Sequence, residues 1–389
     1  MLTFDKFQGI NNVLPPERLA DQELVTAINV DIGLSGEVRR RGGFTLDTEG
    51  CHKNLWQADG YMLATCNGAL TAIRPGGAPT VVYPYMGQDR LWYCNLPDGR
   101  TTFSNGLICG ITDGVTATGW GVPAPDGVGA FTEVAGQLFP GEYRYRLTHV
   151  RLSDGLEGGP VYAEPAQIQN GGILLTGLPV RDGFGLNVYL TSHNDDGAYL
   201  AGTTLTGSFS YLGKNDALVL PCRTDHIQPA PAGIATQFWR GRVLTACGNL
   251  LHASRPNQWE HFDPLRDFKQ FSAPITLVQP VDNGIYVGTT EELAFLSGTD
   301  FDGLAYAQVL RGHVVLGSGV EVRGERISLG DGGGQGKAMV CIADRILVAG
   351  FNGGNIQRLS DGRYQTDVQE VAATFREVDG IPQYVAVPQ

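Results

Sequence analysis

The sequence predicts an all-β protein: a β-propeller of about six blades interrupted by an inserted β-sandwich. Three observations carry that prediction. Short apolar runs at 242–246, 250–254, 285–288 and 293–296 alternate with turn clusters such as Cys247-Gly248-Asn249 and Asp282-Asn283-Gly284. Runs of that length bounded by Gly and Asn read as antiparallel strands joined by tight turns, and the pattern repeated along a chain reads as propeller blades. Glycine supplies 54 of 389 residues with no triplet period, and charged residues are only 17%. That is the composition of a turn-rich β protein rather than of collagen or a disordered chain. Finally, the pattern changes to longer alternating runs between two proline-rich stretches, Val122-Pro123-Ala124-Pro125 and Pro229-Ala230-Pro231.

Residues 1–45 read as an N-terminal arm carrying a closing strand. Pro15-Pro16 forbids a continuous helix or a central strand there. The stretch 21–29 (DQELVTAIN) places Leu24, Val25 and Ile28 behind a capping Asp21, which predicts a short helix. Residues 27–32 and 35–44 read as two strands around a glycine-rich turn. Within the second, Arg39, Arg40 and Arg41 have two readings: an assembly or DNA-facing contact, or an alternating strand whose arginines pair with acidic neighbours.

Residues 46–125 form the first part of the propeller, two blades with turns at Asn67-Gly68 and Asn105-Gly106, where Asn and Gly tolerate positive backbone angles. Residues 126–232 are the insert. Its run 142–150 (EYRYRLTHV) alternates strictly, and further runs follow at 173–176, 186–190, 198–205 and 209–212. About seven strands in roughly 100 residues predict a β-sandwich. Residues 233–389 resume the propeller through 238–296, 312–317, 319–322, 327–329, 337–342, 345–350, 355–359 and 370–377. Outside the arm and insert, roughly 240 residues at about 40 per blade give about six blades, with five or seven left open. The last run, 383–387, is expected to pair with the arm at 38–46 and so close the ring.

The net charge of −12 argues against a protein that grips nucleic acid by neutralising phosphates. It permits one past which DNA slides, because an acidic lumen repels the backbone. Seven cysteines (51, 66, 94, 109, 222, 247 and 341) are scattered singly without CxxC spacing. Reduced, buried thiols in a protein folded in the cytoplasm are expected from that pattern. The opening residues lack a basic region followed by an apolar core, so no signal peptide is expected, and no run of 18 apolar residues predicts membrane insertion.

The search for chemistry returns no catalytic, cofactor or metal constellation, which predicts a non-enzymatic protein. The segment Asp331-Gly332-Gly333-Gly334-Gln335-Gly336-Lys337 has Asp331 where a phosphate loop needs glycine, and Ala338 where it needs Ser or Thr. His252 and His261, nine apart across a Pro-Asn turn with Glu260 and Asp263 near, lack HxH or HExxH spacing and read as rim histidines, with a metal site as the alternative. Asp300-Phe301-Asp302-Gly303 and Asn194-Asp195-Asp196-Gly197 stop short of a calcium loop and read as turns. Sialidase-type Ser-x-Asp-x-Gly-x-Thr-Trp boxes and a Gly-x-Ser-x-Gly elbow are absent from the sequence. Trp120, Trp239 and Trp259 are candidate surface aromatics for a glycan, with packing between blades as the alternative.

Two resemblances extend this reading. YRYRLTHVRLSDGLEGGP followed by GLNVYLTS resembles fibronectin type III domains and covers only the insert. Phe7-Gln8-Gly9-Ile10-Asn11, the segment Leu14-Pro15-Pro16-Glu17-Arg18-Leu19, Ala27-Ile28-Asn29-Val30-Asp31 and residues 36–44 resemble the N-termini of the tailed-phage tail nozzle and packaged-DNA stabilisation (head-completion) propeller proteins. Gly248-Asn249-Leu250-Leu251-His252-Ala253-Ser254-Arg255-Pro256 with Trp259 resembles one of their blades, whereas Gly42-Gly43 stands where that family has Arg-Pro-Gly. The second resemblance implies a virion structural protein assembled in the host cytoplasm. It implies a homo-oligomeric ring, hexameric by expectation, around the DNA-exit channel. Its partners would be other tail or head–tail connector proteins, tail fibres and DNA in transit. The alternative is a tail adhesion module that recognises a host glycan or protein.

Overall fold

The computed structural model describes residues 6–33, 35–43, 45–46, 49–327, 334–378 and 380–389. Among them, strands dominate, mostly in antiparallel sheets. Five are meanders. The first runs through His52–Gln57, Met62–Cys66, Ala69–Ile73 and Thr80–Tyr83. The second comprises Trp92–Asn95, Thr101–Ser104, Cys109–Thr112 and Ala117–Gly119. In the third, Ile234–Trp239, Arg242–Cys247 and Leu250–Arg255 are followed by two strands, Gln258–Phe262 and Phe268–Gln270, that both pair with Leu250–Arg255. The fourth uses Ile275–Val281, Gly284–Thr289, Glu292–Ser297 and Ala305–Arg311, and the fifth Val320–Arg323, Lys337–Ala343, Ile346–Gly350 and Ile356–Arg358.

Consecutive meanders stack face to face, and the core lies between them. Leu63, Leu70, Tyr93 and Phe103 fill the gap between the first and second. Ile111, Trp120, Val243 and Phe262 join the second to the third. Trp239, Leu244, Ile285 and Leu296 join the third to the fourth, and Tyr286, Phe295, Met339 and Val348 the fourth to the fifth. Strands such as Ile275–Val281 and Gly284–Thr289 are buried along their whole length. A strand covered on both faces needs no polar alternation, which is why these runs read as continuously apolar.

The insert leaves after the second meander. Ala130–Ala135, Gly171–Thr176 and Ser208–Tyr211 form one sheet, and Glu157–Tyr162, Tyr145–Arg151, Phe184–Thr191 and Ala198–Thr204 form the other. Leu147, Leu175, Leu186, Val188 and Leu190 make a separate core between them.

The two chain ends differ from expectation. Residues 21–29 form no helix: Glu23–Leu24 is a short strand parallel to Gly9–Ile10, and Asn29 has φ 56°. Val25 and Ile28 are 58% and 82% exposed, so the apolar face meets no core, and nine residues cannot sustain a helix alone. The Glu23 carboxylate instead accepts hydrogen bonds from Asn11 Nδ2 and the Ala20 N–H. The last strand, Ile381–Pro388, pairs along its length with Val371–Val378, whereas Val38–Arg40 pairs with Val30–Ile32. A two-residue connection with Gly380 at φ 77° brings the local partner in at far lower closure cost than the distant arm. The Gln389 N–H donates to Glu370 O, which sets the alternation of this ribbon. Pro382, Tyr384, Ala386 and Pro388 therefore turn their backbone to the unpaired edge. Of the expected run 327–329, Ile327 ends a four-residue helix, Gly324–Ile327, and the remainder lies outside the described residues, as do 331–333 of the glycine-rich loop.

Candidate functional site

The best-built site is the junction where the insert meets the second and third meanders. The outgoing and returning strands of chain lie side by side: the Ala230 N–H donates to Trp120 O at 2.8 Å, and Gln228 exchanges two backbone bonds with Phe262. Trp120, 1% exposed, donates its indole N–H to Trp259 O at 2.7 Å and meets Phe262 edge-on. Gly121 sits here at φ 107°, and a Cβ on it would lie 2.7 Å from Pro229 Cα and 2.8 Å from Glu260 O. Only glycine fits so close a backbone crossing.

Glu260, on the strand Gln258–Phe262, is buried and joins three units. Its Oε1 accepts from Arg100 Nη1 of the second meander at 2.6 Å, and its Oε2 from Arg151 Nη2 of the insert at 2.9 Å. Each arginine holds a second carboxylate, Asp98 for Arg100 and Asp154 for Arg151, both at 2.7 Å. Burial alone would lower the Arg151 guanidinium, but Asp154 and Glu260 outweigh it and hold it above its ordinary value. The hydrogen bond from Arg151 in turn holds the Asp154 carboxyl below its usual range. Beside Glu260, His261 places Nε2 2.8 Å from Glu157 O of the insert, and burial lowers its basicity. A buried charge with both partners in place is tolerated, whereas one partner left alone is costly.

Outside this node, between the outer strand Ala117–Gly119 and the end of the sandwich, lies a groove of about 620 Å³. Pro123, Pro229, Leu152 and Phe184 give it apolar walls, and Arg181 stands over the Phe184 ring at 5.3 Å. His149, buried beneath Phe184 at 5.4 Å between ring centres, is anchored by Nδ1 to Pro123 O at 3.0 Å.

The residues expected to face DNA or a glycan are elsewhere. Arg39 pairs with Glu37 at 3.1 Å and Arg41 with Asp31 at 3.1 Å, while Arg40 has no carboxylate within 4 Å among the described residues. Two of the three arginines thus follow the acidic-neighbour reading. Trp120 and Trp239 are not surface aromatics: they are 1% and 4% exposed, at the seams between meanders, where a large ring removes most apolar area from water. Trp259 is half-buried and donates to Gly241 O at 3.0 Å. His252 packs on Phe268, apart from the contact His261 makes. Among the described residues no group of three His, Cys, Asp or Glu is placed to hold a metal ion.

Sequence reasoning missed Arg100, Arg151 and the groove, and considered Glu260 only as a neighbour of His252 and His261. The available signal was a charge beside apolar strand residues: Arg151 directly follows the alternating run 142–150, and Glu260 stands between Trp259 and His261-Phe262. A second cluster braces the third meander alone, with Arg242 on Asp267 at 2.8 Å and Arg255 on Asp263 at 2.7 Å.

No family model matches the chain, and no curated protein matches it. Among solved structures it is similar to the computationally designed Ika8 protein, at 11% identity and TM-score 0.25, over 87% of this chain and 97% of that one. It is also similar to the extracellular domain of a one-component system of B. thetaiotaomicron, at 12% identity and TM-score 0.22, over 76% of this chain and 43% of that one. PorZ, a surface component of the type-IX secretion system of Porphyromonas gingivalis, matches at 12% identity and TM-score 0.23, over 84% and 49%. The chain spans under half the length of these two natural proteins, and likenesses this distant carry no argument about fold or role.

Proposed function

We propose that the chain is a non-enzymatic structural protein of a tailed-phage virion, a nozzle or stabilisation component forming a ring around the DNA-exit channel of the tail. In this reading the five stacked meanders are propeller blades, the ribbon Val371–Val378/Ile381–Pro388 is a reduced sixth, and the insert is a fibronectin-III-like sandwich held outside them. The supporting observation is where the phage-like residues fall. Ser254-Arg255-Pro256 and Trp259 belong to the third meander, where Arg255 braces Asp263 and the Trp259 carbonyl receives Trp120. They stiffen the third meander and its seam with the second, a use that fits a scaffold. Six copies would form the ring, contacting connector proteins and fibres, with DNA passing transiently. Electron microscopy of virions carrying a labelled copy tests this: density for a ring of this chain on the tail axis is expected, and a tail without it overturns the reading.

The second reading is an adhesion module for a host glycan or protein. The groove beside Phe184 and Arg181 favours it, with Trp120 and Trp239 buried in packing between meanders. A host-cell binding assay with the full chain separates the two.

A further inference from the structure

One lining residue of the groove, Leu152, also meets an exposed apolar neighbour outside it. Leu152 and Leu205, 57% and 61% exposed, converge over Gly185, whose absent side chain leaves their methyls 3.5 and 3.1 Å from where a Cβ would stand. Phe184 lies next in the chain, with Arg181 over its ring. Arg151, which also lines the groove, is engaged by Asp154 and Glu260, whereas Arg181 has no carboxylate within 4 Å among the described residues. The surface therefore offers adjoining apolar groups, a cavity within the size range of ligand pockets, and one uncommitted guanidinium stacked on an aromatic ring. Its two walls belong to units already locked together by Glu260, so binding needs no domain closure.

We propose that this groove docks an extended segment of another protein carrying a large apolar side chain beside a carboxylate. The side chain enters between Leu152 and Phe184, and the carboxylate meets Arg181. The charge requirement follows from the unpaired cation. A neutral or basic segment would leave it desolvated without a partner, and so would be rejected. The proposal does not depend on whether the chain forms a ring.

The test uses the full-length chain and two fluorescein-labelled octapeptides that differ at one position, one with a central Leu-Phe-Glu and one with Leu-Phe-Lys, read by fluorescence anisotropy. The Glu peptide is expected to bind at least tenfold more tightly. Arg181→Glu reverses the preference, and Leu152→Asp weakens both peptides at least tenfold. Both positions are exposed, and thermal melting confirms that the variants are folded. Equal binding of the two peptides, no binding of either, or a preference that survives Arg181→Glu overturns the proposal.

Discussion

Glu260 shows how one buried carboxylate can decide a junction. Replacing it with alanine leaves Arg100 to Asp98 and the buried Arg151 to Asp154, each short of one charged hydrogen-bond partner, so Glu260→Ala is expected to cost about 1–3 kcal/mol in denaturant unfolding. Asp361→Ala, which breaks an exposed pair with Arg358, is expected to cost about 0–1 kcal/mol. Acid should loosen the same junction. Asp154 titrates lower in the folded chain than its ordinary 3.8, so the folded state binds fewer protons than the unfolded one. Its contribution is complete above that ordinary value and is lost as pH falls through the depressed one; midpoints of unfolding measured from pH 6 to pH 2 check the direction. The thiols follow burial: Cys94 and Cys341 are pushed up to about 12, and Cys109 and Cys247 to about 11. Exposed Cys51 is therefore expected to react first with a thiol reagent in the native protein, with all seven reacting only after unfolding in guanidinium.

At the scale of elements, Gly121→Ala combines a left-handed backbone with a collision against Pro229, and a loss of about 1–3 kcal/mol is expected by thermal unfolding. Edges matter as much as turns. Two of the four outward positions of Ile381–Pro388 are prolines, which cannot donate to an added strand. Pro382→Thr/Pro388→Thr is expected to raise concentration-dependent association, visible by light scattering. Strands and tight turns were legible in the sequence because both are written locally. The alternation of 142–150 and the Asn67-Gly68 turn need no distant partner to be read. The pairing of the last strand and the fate of 21–29 were not legible, since each depends on which neighbour supplies a surface. Single charges such as Glu260 stand out in the sequence, but the node and the groove could not be assembled from them, their members lying up to 160 positions apart.

The whole molecule should unfold as one unit despite its two kinds of core. The insert has its own packed interior, but Glu260 and His261 bind its base to the meanders, and its Ala230 N–H donates to Trp120 O. A single calorimetric transition is expected for the wild-type chain and two for Glu260→Ala, once the coupling is removed. Two wild-type transitions would show that the node orients the insert without stabilising it.

The adjacency of the insert's two ends also bears on how such a chain could have been assembled. Because Gly121 and Pro229 touch, a foreign module can enter or leave here by a single splice without the flanking sheets moving apart. Portability has one condition. Glu260 remains behind after any exchange, and a newcomer that fails to present a cation where Arg151 now stands leaves Arg100 to balance it alone. Among modules grafted at this position, retention of that one arginine should decide which hybrids fold.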